Sequence, residues 1–143
     1  MKITVKKPLV GEYKSITETP DQVFAEKMLG DGFVVFPTVG EVRAPFDGQI
    51  VTAFPTGHSI GLRSKKGVEV LIHVGIDTVN LKGQGFSLKV KEGDKVKEGA
   101  LLLEFDLDFI SKNAPSIATP FVFIEKTVTL LKEKNDSLQI VIE

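Results

Sequence analysis

The chain contains two histidines, His58 and His73, and no cysteine. An imidazole with its ordinary pKa near 6.5 is largely uncharged at neutral pH and keeps a free lone pair. It can therefore attack phosphorus and hold it as a phosphoramidate, a covalent intermediate that still transfers readily. A second imidazole nearby could donate a hydrogen bond to the phosphoryl oxygens as charge develops on them. Two other chemistries fit a histidine pair. The rings can form a hydrogen-bonded structural pair, or they can ligate a metal, although zinc wants four ligands and would need a carboxylate, water or another side chain. The absence of thiols removes disulfides, cysteine nucleophiles and cysteine-ligated zinc together, as expected for a chain of the reducing cytoplasm. No glycine-rich phosphate loop accompanies the histidines, which argues against nucleotide-dependent kinase chemistry.

Pattern brings the two histidines together. Ser64-Lys65-Lys66-Gly67 separates two strand-like runs and reads as a four-residue hairpin loop. Closing it with Arg63 opposite Val68 sets His58 directly opposite His73, with Cβ atoms about 4.5–5.5 Å apart. Alternation sends Val68, Val70, Ile72, Val74 and Ile76 toward a core. Leu71 and His73 then share the other face with Thr56, His58, Ile60 and Leu62. In this register Thr56 faces Gly75, whose missing side chain leaves room for a close approach. Phe54, Ile60 and Leu71 would keep water from a phosphorylated ring.

The elements that must carry this hairpin are mostly strands. Thirteen Gly and seven Pro punctuate short Val-, Ile-, Phe- and Thr-rich runs along the 143 residues. The expected strands are Phe33–Phe36, Glu41–Ala44, Gln49–Phe54, Thr56–Arg63, Val68–Ile76, Phe86–Val90, Leu101–Phe105, Thr119–Ile124 and Leu138–Ile142. The fold class is thus all-β, an antiparallel β-sandwich or barrel-sandwich hybrid with one or two short helices. One helix should start with Thr19 as N-cap and Pro20 at the first position, run through Val23, Phe24, Met28 and Leu29, and stop at Gly30. A second should follow Asp106 through Phe109 and Ile110 and end before Pro115. Val90-Lys91-Glu92-Gly93 recurs as Val96-Lys97-Glu98-Gly99, which predicts two similar tight turns.

Composition bounds the function. A hydrophobic fraction of 42% and a charged fraction of 26% suit a packed domain, and 143 residues suit a single one over 1–143. The net charge of −1 offers no excess for binding a phosphate backbone. No apolar run approaches the roughly 20 residues of a membrane span, and the start Met-Lys-Ile-Thr-Val-Lys-Lys-Pro breaks off before any signal-peptide core.

These residues resemble the glucose-family IIA component of the bacterial phosphoenolpyruvate-dependent sugar phosphotransferase system. The matching segments are Pro20–Gly32, Ala44–Gly48, Thr56–His58, Leu71–Leu81, Val90–Gly99 and Leu103–Asp106, with His-Val-Gly-Ile-Asp-Thr at 73–78 the most specific. The resemblance implies an all-β transferase without cofactor or metal. It takes a phosphoryl group from the histidine-containing phosphocarrier protein and passes it to a cysteine on the IIB domain of a sugar permease. It further implies that His73 is phosphorylated on Nε2, that His58 is the auxiliary histidine, and that Thr56 orients the His58 ring. Val23, Phe24, Met28, Leu29, Phe54 and Leu71 match an apolar docking surface, and Asp21 and Asp77 match acidic residues that meet an arginine of the donor. Leu71 replaces a commonly aromatic residue, and Pro55 and Gly57 flank Thr56 where polar residues are frequent.

Two other classes can be weighed on residues. A biotinyl or lipoyl carrier would use Lys65 or Lys66 at the hairpin tip, but Ser64 and Gly67 flank them in place of the residues such sites use. A zinc peptidase of related architecture would want His-x-His, and Gly75 occupies the second position.

Overall fold

A computed structural model describes residues 1–143. In chain order the strands are β1 (Lys2–Lys6), β2 (Gly11–Ser15), β3 (Gly30–Pro37), β4 (Glu41–Arg43), β5 (Gly48–Ala53), β6 (Ser59–Ser64) and β7 (Glu69–His73). They continue as β8 (Phe86–Leu88), β9 (Lys95–Val96), β10 (Leu101–Phe105), β11 (Thr119–Ile124), β12 (Val128–Glu133) and β13 (Ser137–Ile142). Two helices interrupt them, α1 (Gln22–Ala25) and α2 (Leu107–Asn113). The strands form a seven-stranded sheet, β2-β3-β11-β7-β6-β5-β9, and two three-stranded sheets, β4-β10-β8 and β1-β13-β12. Every named pairing is antiparallel, which gives the expected all-β architecture.

All three sheets contribute to one core of 22 buried residues, among them Val5 and Ile140, Val42 and Leu103, and Val70, Ile72, Phe121 and Phe123. The large sheet is also covered on its outer face near β11 and β7. There Ile16 and Phe24 bury Val122, with Leu71 and Ile124 packed alongside. Since Val122 faces Leu71 across the strands, and side chains alternate along β7, His73 lies on this outer face beside Leu71. No helix is long and apolar enough to cross a membrane.

All nine expected strands are present, Leu101–Phe105 and Thr119–Ile124 with the expected ends and the other seven with changed ones. Four strands were not foreseen. β1, β2 and β12 are sheet-edge strands that mix apolar residues with Lys, Glu, Thr and Ser, and β9 is two residues long. The repeated Val-Lys-Glu-Gly turns are real and equivalent. Gly93 donates to the Ile50 carbonyl and Gly99 to the Ala44 carbonyl, each at 2.8 Å.

The β6–β7 register differs from expectation by one residue. Arg63 faces Glu69 instead of Val68, and Ser59 instead of His58 faces His73. The loop has three residues: Ser64 donates to the Val68 carbonyl at 2.8 Å, and Gly67 takes a left-handed φ of 86°. A glycine in that position matches a three-residue hairpin with a bulge. The consequence is that Ile60 and Leu62 enter the core, 1% and 0% exposed, beside Ile72 and Val70. They do not share the histidine face.

The first helix is shorter than expected. Its N-cap is Asp21, whose Oδ1 accepts from Val23 N at 2.9 Å and Phe24 N at 3.4 Å. Thr19 instead closes the preceding 3₁₀ turn, its hydroxyl donating to the Ile16 carbonyl at 2.6 Å. Helix α1 ends well before Gly30, because Lys27 adopts a left-handed φ of 60°. Lys27 N bonds to Phe24 O and Met28 N to Val23 O, the paired bonds of a Schellman ending. The second helix follows expectation, with Asp106 Oδ1 accepting from Phe109 N at 3.0 Å and Ile110 buried.

Candidate phosphoryl-transfer site

His73 is the last residue of β7, and the chain turns sharply after it. Gly75 adopts a left-handed φ of 74°, and a Cβ added there would lie 2.5 Å from Thr78 Cγ2. Only glycine therefore allows this path. The path returns the Gly75 carbonyl to His73, whose Nδ1 sits 2.9 Å from that oxygen. A carbonyl can only accept, so Nδ1 carries the hydrogen and the neutral ring keeps its lone pair on Nε2. The Phe24 ring packs against His73 at 5.3 Å between centroids, so the Asp21-capped turn serves as a wall for the imidazole.

His58 precedes the first paired residue of β6 and is only 6% exposed. Its carbonyl accepts from Val74 N at 2.7 Å, which ties it to the residue after His73. Thr56, in the turn between β5 and β6, places Oγ1 2.7 Å from His58 Nδ1. The Phe54 ring stacks on the imidazole at 5.7 Å with 9° between planes. The two imidazoles meet edge-on, 5.1 Å between centroids and 76° between planes. They come together although the strand register is not the expected one, because His58 lies beyond the end of the ladder and is free of its alternation.

Both rings are held uncharged. Burial, assisted by the neighbouring His73, pushes the His58 pKa down to about 4. Burial also lowers His73, opposed by the Gly75 carbonyl and by the carboxylates of Asp21 and Asp77. A proton is thus disfavoured on the free pair. A positive charge arising on His73 would still have a carbonyl and two carboxylates to stabilise it.

The residues matched to a docking surface are placed unevenly. Val23, Met28, Leu29 and Phe54 are exposed, Met28 the most at 69%. Asp21 and Leu71 are half-buried, and Asp77 is exposed with a left-handed φ of 56°. Phe24 is buried, so it supports the site from beneath instead of offering open surface. What the sequence did not reveal is the Gly75 carbonyl as the partner of His73. The close approach expected at Gly75 is made by the backbone carbonyl of Ser116 and by the Thr78 side chain.

No group of three or more His, Asp or Glu side chains is placed to hold a metal ion. Two clefts of about 450 and 390 Å³ lie around Ser64 and Lys65 at the hairpin tip, and neither is lined by a histidine. His73 is half-buried, and the exposed Phe54 ring lies over the buried His58.

Residues 3–128 match the family model for the phosphoenolpyruvate-dependent sugar phosphotransferase system, EIIA 1. Among solved structures, the glucose permease IIA from Mycoplasma capricolum is similar to this chain. It is 39% identical over 98% of this chain and 96% of its own length, with a TM-score of 0.90. The chain belongs to the EIIA type 1 family of the sugar phosphotransferase system.

Proposed function

We propose that residues 1–143 act as one phosphohistidine carrier, receiving a phosphoryl group from the histidine-containing phosphocarrier protein and passing it to the IIB domain of a sugar permease. The observation that carries this reading is the 2.9 Å contact of His73 Nδ1 with Gly75 O: a carbonyl only accepts, so the hydrogen sits on Nδ1 and the Nε2 lone pair is free. Nε2 attacks phosphorus as the donor's phosphorus–nitrogen bond breaks. The hydrogen stays on Nδ1, so phosphorylated His73 is an imidazolium whose charge the Gly75 carbonyl, Asp21 and Asp77 offset.

In this reading the Thr56 hydroxyl, 2.7 Å from His58 Nδ1, is the donor, and His58 Nε2–H is left to bind phosphoryl oxygen. In the onward step a cysteine thiolate of the IIB domain attacks phosphorus, a phosphorus–sulfur bond forms, and neutral His73 leaves with its Nδ1 hydrogen still in place. No cofactor takes part in either transfer.

Exposed apolar side chains at Val23, Met28, Leu29 and Phe54, the last stacked on His58, favour macromolecular partners over an enclosed small substrate. Asp21 and Asp77 give that surface a negative flank suited to a basic donor. Such interfaces should be small and short-lived, since a relay must release each partner. The reading places the exchange in the cytoplasm, on the side of a permease where phosphoenolpyruvate is available.

The test is incubation with labelled phosphoenolpyruvate and the two general proteins of the system. Label stable to alkali and lost in acid, absent from His73→Gln, is the expected result. Undiminished labelling of His73→Gln would refute the assignment.

A further inference from the structure

We propose that Thr78 is a positioning residue for His73: by holding the Val74 carbonyl, its hydroxyl keeps the Gly75 carbonyl aimed at Nδ1 and so keeps the lone pair on Nε2. The inference rests on the phosphocarrier reading for its consequence, but not for its geometry.

The turn after His73 has a weakness built into its chemistry. Gly75 takes a left-handed φ of 74° with no room for a Cβ, yet glycine has more backbone freedom than any other residue and does not enforce that shape itself. Something outside the glycine must fix the carbonyl, and Thr78 is suited to do so. It is fully buried, its Oγ1 donates to Val74 O at 2.6 Å, and its Cγ2 lies where a Cβ on Gly75 would be 2.5 Å away. One side chain thus binds the peptide before Gly75 and covers the glycine's open face.

The peptide after Gly75 is held from the other side. Ile76 N donates to Ser116 O at 3.0 Å, and that N–H belongs to the same planar peptide as the Gly75 carbonyl. A continuous series therefore runs from Ser116 O through the Gly75–Ile76 peptide to His73 Nδ1–H. In such a series each bond polarises the next, so the acceptor strength felt by His73 depends on the turn keeping its shape. Thr78 is the one side chain in this turn that supplies both a hydrogen bond and a packing contact to it.

The experiment uses protein labelled with ¹⁵N in its imidazoles, unphosphorylated, at a pH where both rings are neutral. Long-range proton–nitrogen correlation reads which nitrogen of His73 carries hydrogen. Wild type is expected to show Nδ1–H. In Thr78→Val, which removes the hydroxyl and keeps the shape, His73 should drift toward a mixture of tautomers. Its labelling rate through the general proteins should then fall about five-fold, the usual worth of one lost hydrogen bond. Thr78→Ser restores the hydroxyl and should recover both. Thr78→Ala supplies a second hydroxyl-free variant if valine crowds the buried site.

A His73 signal locked as Nδ1–H in the hydroxyl-free variants, with unchanged labelling, would overturn the proposal. So would a drift in Thr78→Ser as large as that in Thr78→Val. If wild type accepts no phosphate while the tautomer still responds to Thr78, the positioning role stands and the phosphocarrier reading falls.

Discussion

His58 and His73 touch edge-on, 5.1 Å between ring centroids, without being cross-strand partners: His73 is paired with Ser59. His58 reaches the same spot from just outside the ladder, anchored by its carbonyl on Val74 N and by its ring on Thr56 and Phe54. Thr56 and Phe54 act on the auxiliary ring, whereas Gly75 and Phe24 act on His73. Each ring should therefore respond to changes that leave the other in place.

Stability should fall on the acid side because of this pair. The folded-state pKa of His58 is lowered to about 4, so between the unfolded value near 6.5 and that figure the unfolded chain binds more protons. Folding free energy from His58 is present in full above pH 6.5 and is lost as pH falls toward 4. At about 1.4 kcal/mol per pKa unit, and with the rim partly wet, the loss should be on the order of 2 kcal/mol. Urea midpoints for wild type and His58→Gln should converge across this interval; parallel curves would mean that His58 titrates normally.

Two glycine substitutions should separate turn shape from turn packing. Gly67, at φ 86°, has nothing within 4 Å of an added Cβ, so Gly67→Ala should cost only about 1 kcal/mol of left-handed strain. Gly75→Ala adds a 2.5 Å contact with buried Thr78, which should bring the cost above about 2 kcal/mol. Equal denaturation midpoints for the two variants would show that the Gly75 turn relaxes freely.

Phe54 is half-exposed and stacked on His58. Removing it should cost stability no more than about 1 kcal/mol while slowing transfer to the permease domain several-fold. The same change should raise the His58 pKa toward its ordinary value, since the ring that excludes water from the imidazole is gone. Nitrogen titration by NMR and a coupled transfer assay would check both; an unchanged titration would remove Phe54 from any role beyond docking.

Much of this arrangement could be read from residue types. The β-branched run Val68–Val74 set the core face of β7 and put His73 on the other side, where it lies. The strand-pairing register could not be read so well, because it depended on whether Gly67 was a plain loop residue or the left-handed residue of a bulge. The capping of α1 differs for a similar reason: Thr19, Pro20 and Asp21 all suit a helix start, but the Thr19 hydroxyl is taken by the Ile16 carbonyl and Asp21 caps the helix. Strands such as β2 (GEYKS) carry few apolar residues and exist because β3 offers them backbone partners. The Gly75 carbonyl was beyond reach, since main-chain acceptors leave no mark in a sequence.

Which atom receives phosphorus tests the whole reading most directly. Protein labelled with ¹⁵N in its imidazoles, phosphorylated through the general proteins and examined by nitrogen–phosphorus coupling, should show phosphorus on Nε2 of His73 and hydrogen on Nδ1. Phosphorus on Nδ1 of His73, on His58 in the unaltered protein, or on no histidine at all would contradict it.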